Sequence, residues 1–90
     1  MKWVVQYSSK AEAGLQDIPH VISLRITTKI QGWCDNGNPM KFAKALRGTA
    51  TGLFRFRIGD YRVIFSRTES GELQILLVVK IGHRKDIYED

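Results

Sequence analysis

Of the residues in this chain that can hold charge on a phosphate, or move a proton near one, Arg55, Arg57, Arg62, Lys80, Arg84 and Tyr88 fall in a pattern that could converge. A guanidinium grips phosphate oxygens in a planar fork, and it stays charged at any physiological pH. A tyrosine can stack on a base or pass a proton through its phenol. The chain has no glycine-rich phosphate loop and no Ser/His/Asp arrangement. Glu69, Glu72, Asp86 and Glu89 form no spaced carboxylate pair, and His20 and His83 share no metal-ligand motif. Chemistry built from these residues is therefore metal-free and cofactor-free. RNA suits it, because its 2′-hydroxyl is a built-in nucleophile that needs only alignment and stabilisation of the extra phosphate charge. DNA lacks that hydroxyl and could not be cut this way.

The arginines are positioned by one stretch, Leu53-Phe54-Arg55-Phe56-Arg57-Ile58-Gly59-Asp60-Tyr61-Arg62-Val63-Ile64-Phe65. Apolar residues alternate with arginine at a period of two on each side of Gly59-Asp60, which predicts a β-hairpin with a two-residue loop. In that pairing Ile58 faces Tyr61, Arg57 faces Arg62, Phe56 faces Val63 and Arg55 faces Ile64. One face carries Phe54, Phe56, Ile58, Tyr61, Val63 and Phe65; the other carries Arg55, Arg57, Arg62 and Ile64. Like charges set opposite each other disfavour the pairing unless an anion joins them. The same pattern also fits a wet sheet face whose charges are simply solvated or discourage edge pairing.

The remaining elements must cover the apolar face. Lys2 to Tyr7 reads as a strand. Ser8 or Ser9 caps a short helix through Gln16, weakened by Gly14 and ended by Pro19. A second helix follows, with Asp17 as a possible cap, and Ile22, Ile26, Ile30 and Trp33 fall on one face. Asp35-Asn36-Gly37-Asn38-Pro39 ends it. Met40 to Leu46 is either a further helical turn or an irregular approach to the sheet, and 47–52 is a flexible connector. After the hairpin, Glu69-Ser70-Gly71 reads as a three-residue loop into a strand from Glu72 to Gly82. That loop pairs Thr68 with Glu72, Ile64 with Leu76, Arg62 with Val78 and Asp60 with Lys80, which brings Lys80 and Arg84 to the arginine face. The expected architecture is α+β, one domain over 1–90: an N-terminal strand, two helices packed on one face of an antiparallel sheet, and a C-terminal three-stranded meander.

Composition is consistent with this and narrows the setting. Hydrophobic content is 43%, enough for one core. No apolar run approaches the roughly 18 residues that span a bilayer, so no membrane partner is expected. No signal peptide is visible, and the expected location is cytoplasmic. Cys34 is the single cysteine and reads as a packed side chain. The net charge of +5 points to nucleic acid, an acidic protein partner or simple solubility, and charge alone does not choose between them.

The motifs Leu46-Arg47-Gly48, Phe54 to Phe65, and Ile81-Gly82-His83-Arg84-Lys85-Asp86-Ile87-Tyr88 resemble the RelE/ParE superfamily of toxins from toxin–antitoxin systems. The resemblance implies the RelE-like fold and a cognate antitoxin, acidic and partly disordered. In the RelE branch it implies an endoribonuclease, an mRNA interferase that cuts mRNA on the ribosome and leaves a 2′,3′-cyclic phosphate. Arg62 and Arg84 then look like the phosphate-stabilising arginines, and Tyr88 like the C-terminal tyrosine. Arg55 and Arg57 stand where the family often has lysines, and arginine is a poor general base. Lys80, His83 and Lys85 are the further substrate-binding candidates, although His83 alternatively faces the core. The ParE branch, by contrast, implies binding to DNA gyrase without nuclease activity.

Overall fold

Alternation of apolar and polar residues, broken by a few strong caps, builds the elements seen in the computed structural model, which describes residues 2–47 and 52–87. Strand β1 (Lys2–Tyr7) leads through one residue into helix α1 (Ser9–Gln16). Ser8 fixes the join. Its Oγ accepts from the Ala11 amide at 3.1 Å, and its own amide donates to the Val78 carbonyl at 2.9 Å. Helix α2 (His20–Asp35) buries Ile26, Ile30 and Cys34. Asp17 does not cap it. It ends α1, donating its amide to the Ala13 and Gly14 carbonyls, and Pro19 takes the position before α2 with no side-chain cap. The physical reason is spacing: Ile18 and Pro19 lie between Asp17 and the first free amides of α2.

Asn38 opens a 3₁₀ turn (Pro39–Phe42) by accepting from the Met40 amide at 2.9 Å, and the chain then forms a short strand, β2 (Ala43–Ala45). The segment left open between a helical turn and an irregular approach is thus a turn followed by an edge strand. Strands β3 (Leu53–Ile58), β4 (Tyr61–Ser70) and β5 (Leu73–His83) complete one sheet of order β1-β5-β4-β3-β2. The meander pairs antiparallel, and β1 runs parallel to β5.

The β3–β4 register is the one the alternation predicts, with Arg57 opposite Arg62 and Arg55 opposite Ile64. The β4–β5 register differs from the expected one. Strand β4 runs on through Ser70, the loop is Gly71-Glu72 with Gly71 at φ 61°, and Ser70 pairs with Leu73. This offset places Leu76 and Val78 on the helix-covered side, both fully buried. A bulge then steps the pairing from Phe65↔Val78 to Ile64↔Lys80. Because of that bulge, Lys80 and Gly82 still reach the open face, while Ile81 turns inward. The run from Ile75 to Val79 is apolar on both faces, so it could not specify its own register.

The core lies between the helices and the sheet. Ile26, Ile30, Phe56, Val63, Phe65, Leu76 and Val78 are fully buried within one cluster, and the Phe56 and Phe65 rings stack at 4.4 Å. Each such side chain contributes about 1.5–3 kcal/mol by leaving water. Helix α1 sits unusually close to β5: a Cβ on Gly14 would lie 2.6 Å from the Ile81 carbonyl oxygen. Gly14 weakens the helix as a helix but permits this approach. Among the described residues, no helix is long and apolar enough to cross a membrane.

Candidate functional site

The face of the sheet away from the helices carries cations in two cross-strand rows. Lys44, Arg55, Ile64 and Lys80 are successive partners across β2, β3, β4 and β5. One step along, Arg57, Arg62 and Gly82 are partners across β3, β4 and β5. With strands about 4.8 Å apart and a two-residue repeat of about 6.8 Å, these rows cover a patch roughly 15 Å by 7 Å. That is the scale of a nucleotide with its flanking phosphates. Because the cations stand on strands rather than loops, their spacing is held by the ladder.

The cations are not equivalent. Arg57 and Lys44 are exposed, and Arg55 and Lys80 are half-buried. Arg62 is only 3% exposed. Its Nη1 donates to the Gly59 and Tyr61 carbonyls, each at 3.0 Å, so this guanidinium ties down the β3–β4 loop. Beyond β5 the chain turns back. Asp86 and Ile87 amides donate to the His83 carbonyl, and the Arg84 amide donates to the Asp60 carbonyl at 2.7 Å. Arg84 Nε lies 3.8 Å from Asp60 Oδ1, with both side chains more than half exposed. The turn thus carries Arg84 to the loop that Arg62 grips. Ile87 is buried, and its side chain sits where a Cβ on Gly82, the cross-strand partner of Arg62, would lie 3.3 Å away.

His83 and Lys85 are placed differently. His83 pairs with Tyr61, its ring edge-on to the tyrosine at 5.3 Å, and both belong to the helix side. There it lines a cleft with Asp17, Ile18, Tyr61, Ile81 and Asp86. Its Nδ1 accepts from the Lys85 amide at 3.1 Å, which leaves Nε2 as the protonated nitrogen of the neutral ring. Lys85 is exposed on the turn. Tyr88 lies outside the described residues. The structure therefore gathers Arg55, Arg57, Arg62 and Lys80 on one face, sets Arg84 at its end, and turns His83 away.

Sequence reasoning missed Lys44, because a three-residue edge strand carries too short a pattern to be read. It also missed the second half of the open face. Val4, Leu53, Ile75 and Leu77 occupy the same side as the arginines and give that half an apolar character. Two groups on the helix side are perturbed. Burial, then Cys34, pushes the Tyr7 phenol up to about 12, and its Oη has no hydrogen-bond partner. Burial, then Asp35, pushes the Cys34 thiol up as well, as expected of a packed rather than a reactive cysteine. Among the described residues, no group of three His, Cys, Asp or Glu side chains is placed to hold a metal ion.

A two-helix layer over a five-stranded sheet, with an open basic face, is the architecture of small toxins of toxin–antitoxin systems. The profile of the family described as ParE toxin of type II toxin–antitoxin system, parDE, matches residues 5–88, and the chain belongs to this family within the RelE/ParE superfamily. No curated protein matches it. Among solved structures it is similar to the toxin–antitoxin complex RelBE2 from Mycobacterium tuberculosis, with 21% identity over 93% of this chain and 100% of that one, at a TM-score of 0.77. The archaeal RelE–RelB complex from Pyrococcus horikoshii is 26% identical over 97% and 100%, at 0.68. A YoeB/ParE toxin from Agrobacterium tumefaciens is 18% identical over 92% and 98%, at 0.64. The fold is RelE-like, and the protein is a toxin of the type II class.

Proposed function

We propose that this toxin is a metal-free endoribonuclease that acts on messenger RNA at the ribosome. The observation that carries the reading is the pair of cation rows on a rigid open sheet face, Lys44–Arg55–Lys80 and Arg57–Arg62, with Arg84 at their end. In the step this site would serve, the 2′-oxygen attacks the adjacent phosphorus, the bond to the 5′-oxygen breaks, and a 2′,3′-cyclic phosphate and a 5′-hydroxyl result. The 2′-hydroxyl proton goes to a base and the 5′-oxygen takes one up. Arg55, Arg57 and Arg84 stabilise the charge that gathers on the phosphoryl oxygens. They are poor proton acceptors, so that role falls to Lys80 or Tyr88. Arg62 supports the site by holding the loop beside it rather than by reaching into solvent. The partner is a cognate antitoxin, whose acidic groups would neutralise the cation rows and whose apolar side chains would cover Val4, Ile75 and Leu77.

The test is expression in an inducible host, with transcript ends mapped on ribosome-bound messages. Arg57→Ala and Arg84→Ala, both exposed, are expected to keep the fold and lose codon-positioned cuts by about 100-fold, the usual scale for removing one charge stabiliser. A second reading is binding to DNA gyrase without cleavage. The family profile with its parDE description favours it, as does the commitment of the Arg62 guanidinium to two backbone carbonyls. Intact transcripts together with stalled replication and capture of gyrase would establish it and overturn the first.

A further inference from the structure

A second feature lies around the β2 edge of the sheet, on the helix side. Phe42 ends the 3₁₀ turn and is 53% exposed. A phenylalanine left in water at a domain surface is unusual in being held so firmly. Its ring stacks on Trp33 with centroids 4.6 Å apart and planes within 9°, and Trp33 in turn meets the buried Phe56 at 5.0 Å. One face of Phe42 is therefore used and fixed, and the other is left outward. The ring borders a cleft of about 240 Å³ that is also lined by Lys29, Trp33, Asn36, Asn38 and Lys41. No acidic residue lines it. Both lysines are exposed, and among the described residues neither pairs with a carboxylate. Asn36 spends its amide nitrogen on the Gly32 carbonyl, and Asn38 spends its amide oxygen on the Met40 amide. That leaves one acceptor and one donor of fixed orientation facing the cleft region.

The cleft lies one step along the chain from the edge strand of the basic face. Lys41 and Phe42 are followed directly by β2, where Lys44 pairs with Arg55 at the end of the first cation row. Cations thus run from Lys29 and Lys41, round the short edge strand, to Lys44 and Arg55. A pre-ordered ring flanked by lysines, with side-chain amides nearby, is what unpaired bases on a phosphate chain require. The ring stacks on any base, the lysines follow the backbone, and no sequence readout is needed. An acidic peptide would use the lysines but has no use for an exposed planar ring.

We infer that the Phe42–Trp33 platform, with Lys29, Lys41 and Lys44, is a binding site for single-stranded RNA that continues round the β2 edge from the arginine face. This rests on the RNA-acting reading above. The strand crosses β2, which is only three residues long and offers little obstruction.

The test uses the purified full chain and uncleavable 2′-O-methyl oligonucleotides. Lengths of about three and about twelve nucleotides bracket what one face, or a face plus an edge, can hold. The longer oligonucleotide is expected to bind at least about tenfold more tightly. Phe42→Ala removes about tenfold from it and leaves the shorter one unchanged, the scale of one lost base stack. Replacing Lys29 and Lys41 by Gln lowers the salt slope for the longer strand by about 1.4, two phosphates at about 0.7 each. Unchanged binding of the longer strand in both variants overturns the site. So does parental affinity of Phe42→Ala for the longer strand with polyglutamate displacing it equally from both, since the ring then plays no part in holding RNA. Phe42-dependent binding in a protein whose message cleavage is absent would sink the nuclease reading and leave the platform standing.

Discussion

Arg62 separates a structural from a chemical account of the basic face. Its guanidinium is 3% exposed and donates through Nη1 to the Gly59 and Tyr61 carbonyls at 3.0 Å each. Hydrogen bonds from a charged donor are worth about 1.5–3 kcal/mol apiece. These two share one nitrogen, so their joint contribution is nearer the sum of two weak bonds than two strong ones. Removing the side chain also empties a buried volume beneath the C-terminal turn. Arg62→Ala is expected to cost about 3 kcal/mol, which for a domain of this size lowers the melting temperature by about 12–24 °C. Arg57→Ala, exposed on the same face, should stay within about 0.5 kcal/mol of the parent. Arg62→Lys, whose ammonium can still serve a carbonyl without the planar fork, should recover part of the loss. Thermal melts by circular dichroism read all three. If Arg62→Ala melts within about 4 °C of the parent, less than about 1 kcal/mol, the structural assignment is wrong. Any loss of toxicity in that variant would then have to come from chemistry.

Other outcomes follow from single contacts. Gly14→Ala should destabilise by about 1–3 kcal/mol in urea titration, because the new methyl meets the Ile81 carbonyl at 2.6 Å. The gain in helix propensity, about 1 kcal/mol, is too small to reverse the sign. Tyr7→Phe should stabilise by about 1 kcal/mol, since the hydroxyl it removes is buried without a partner. The same phenol titrates near 12 in the folded chain against an ordinary 10.0. The folded state holds that proton more tightly, so this contribution to stability is full below pH 10.0 and is lost as pH rises toward about 12. In alkaline melts the gap between the parent and Tyr7→Phe should widen only in that window. Cys34, buried with its thiol pushed up, should react with a maleimide only at the rate of unfolding.

The hairpin from Phe54 to Phe65 was legible because two signals agreed there. A strict alternation set the faces, and Gly59-Asp60 set the loop, so the register had no freedom. The α+β layering followed from it. What was not legible has physical causes. The run from Ile75 to Val79 is apolar on both faces, so nothing in it opposes a slip. The bulge that returns Lys80 to the open face answers to packing of Leu76, Val78 and Ile81 together. Lys44 was lost because three residues carry no periodicity. Arg57 and Arg62 look alike in sequence. Only the fold distinguishes them, by leaving one exposed and placing the other's guanidinium against two carbonyls beside the turn that carries Ile87.

The parallel pairing of β1 with β5 has a consequence for the timing of synthesis. Ser8, at the end of β1, meets Val79 across 71 residues of chain. Strand β1 must wait for β5 before it has a neighbour, and contacts of such separation are slow to close. As the chain leaves the ribosome, Trp3, Val5 and Tyr7 have no sheet to join, and the helices have no complete surface to cover. The basic face is completed only when β5 arrives to supply Lys80 and to bring Arg84 round to Asp60.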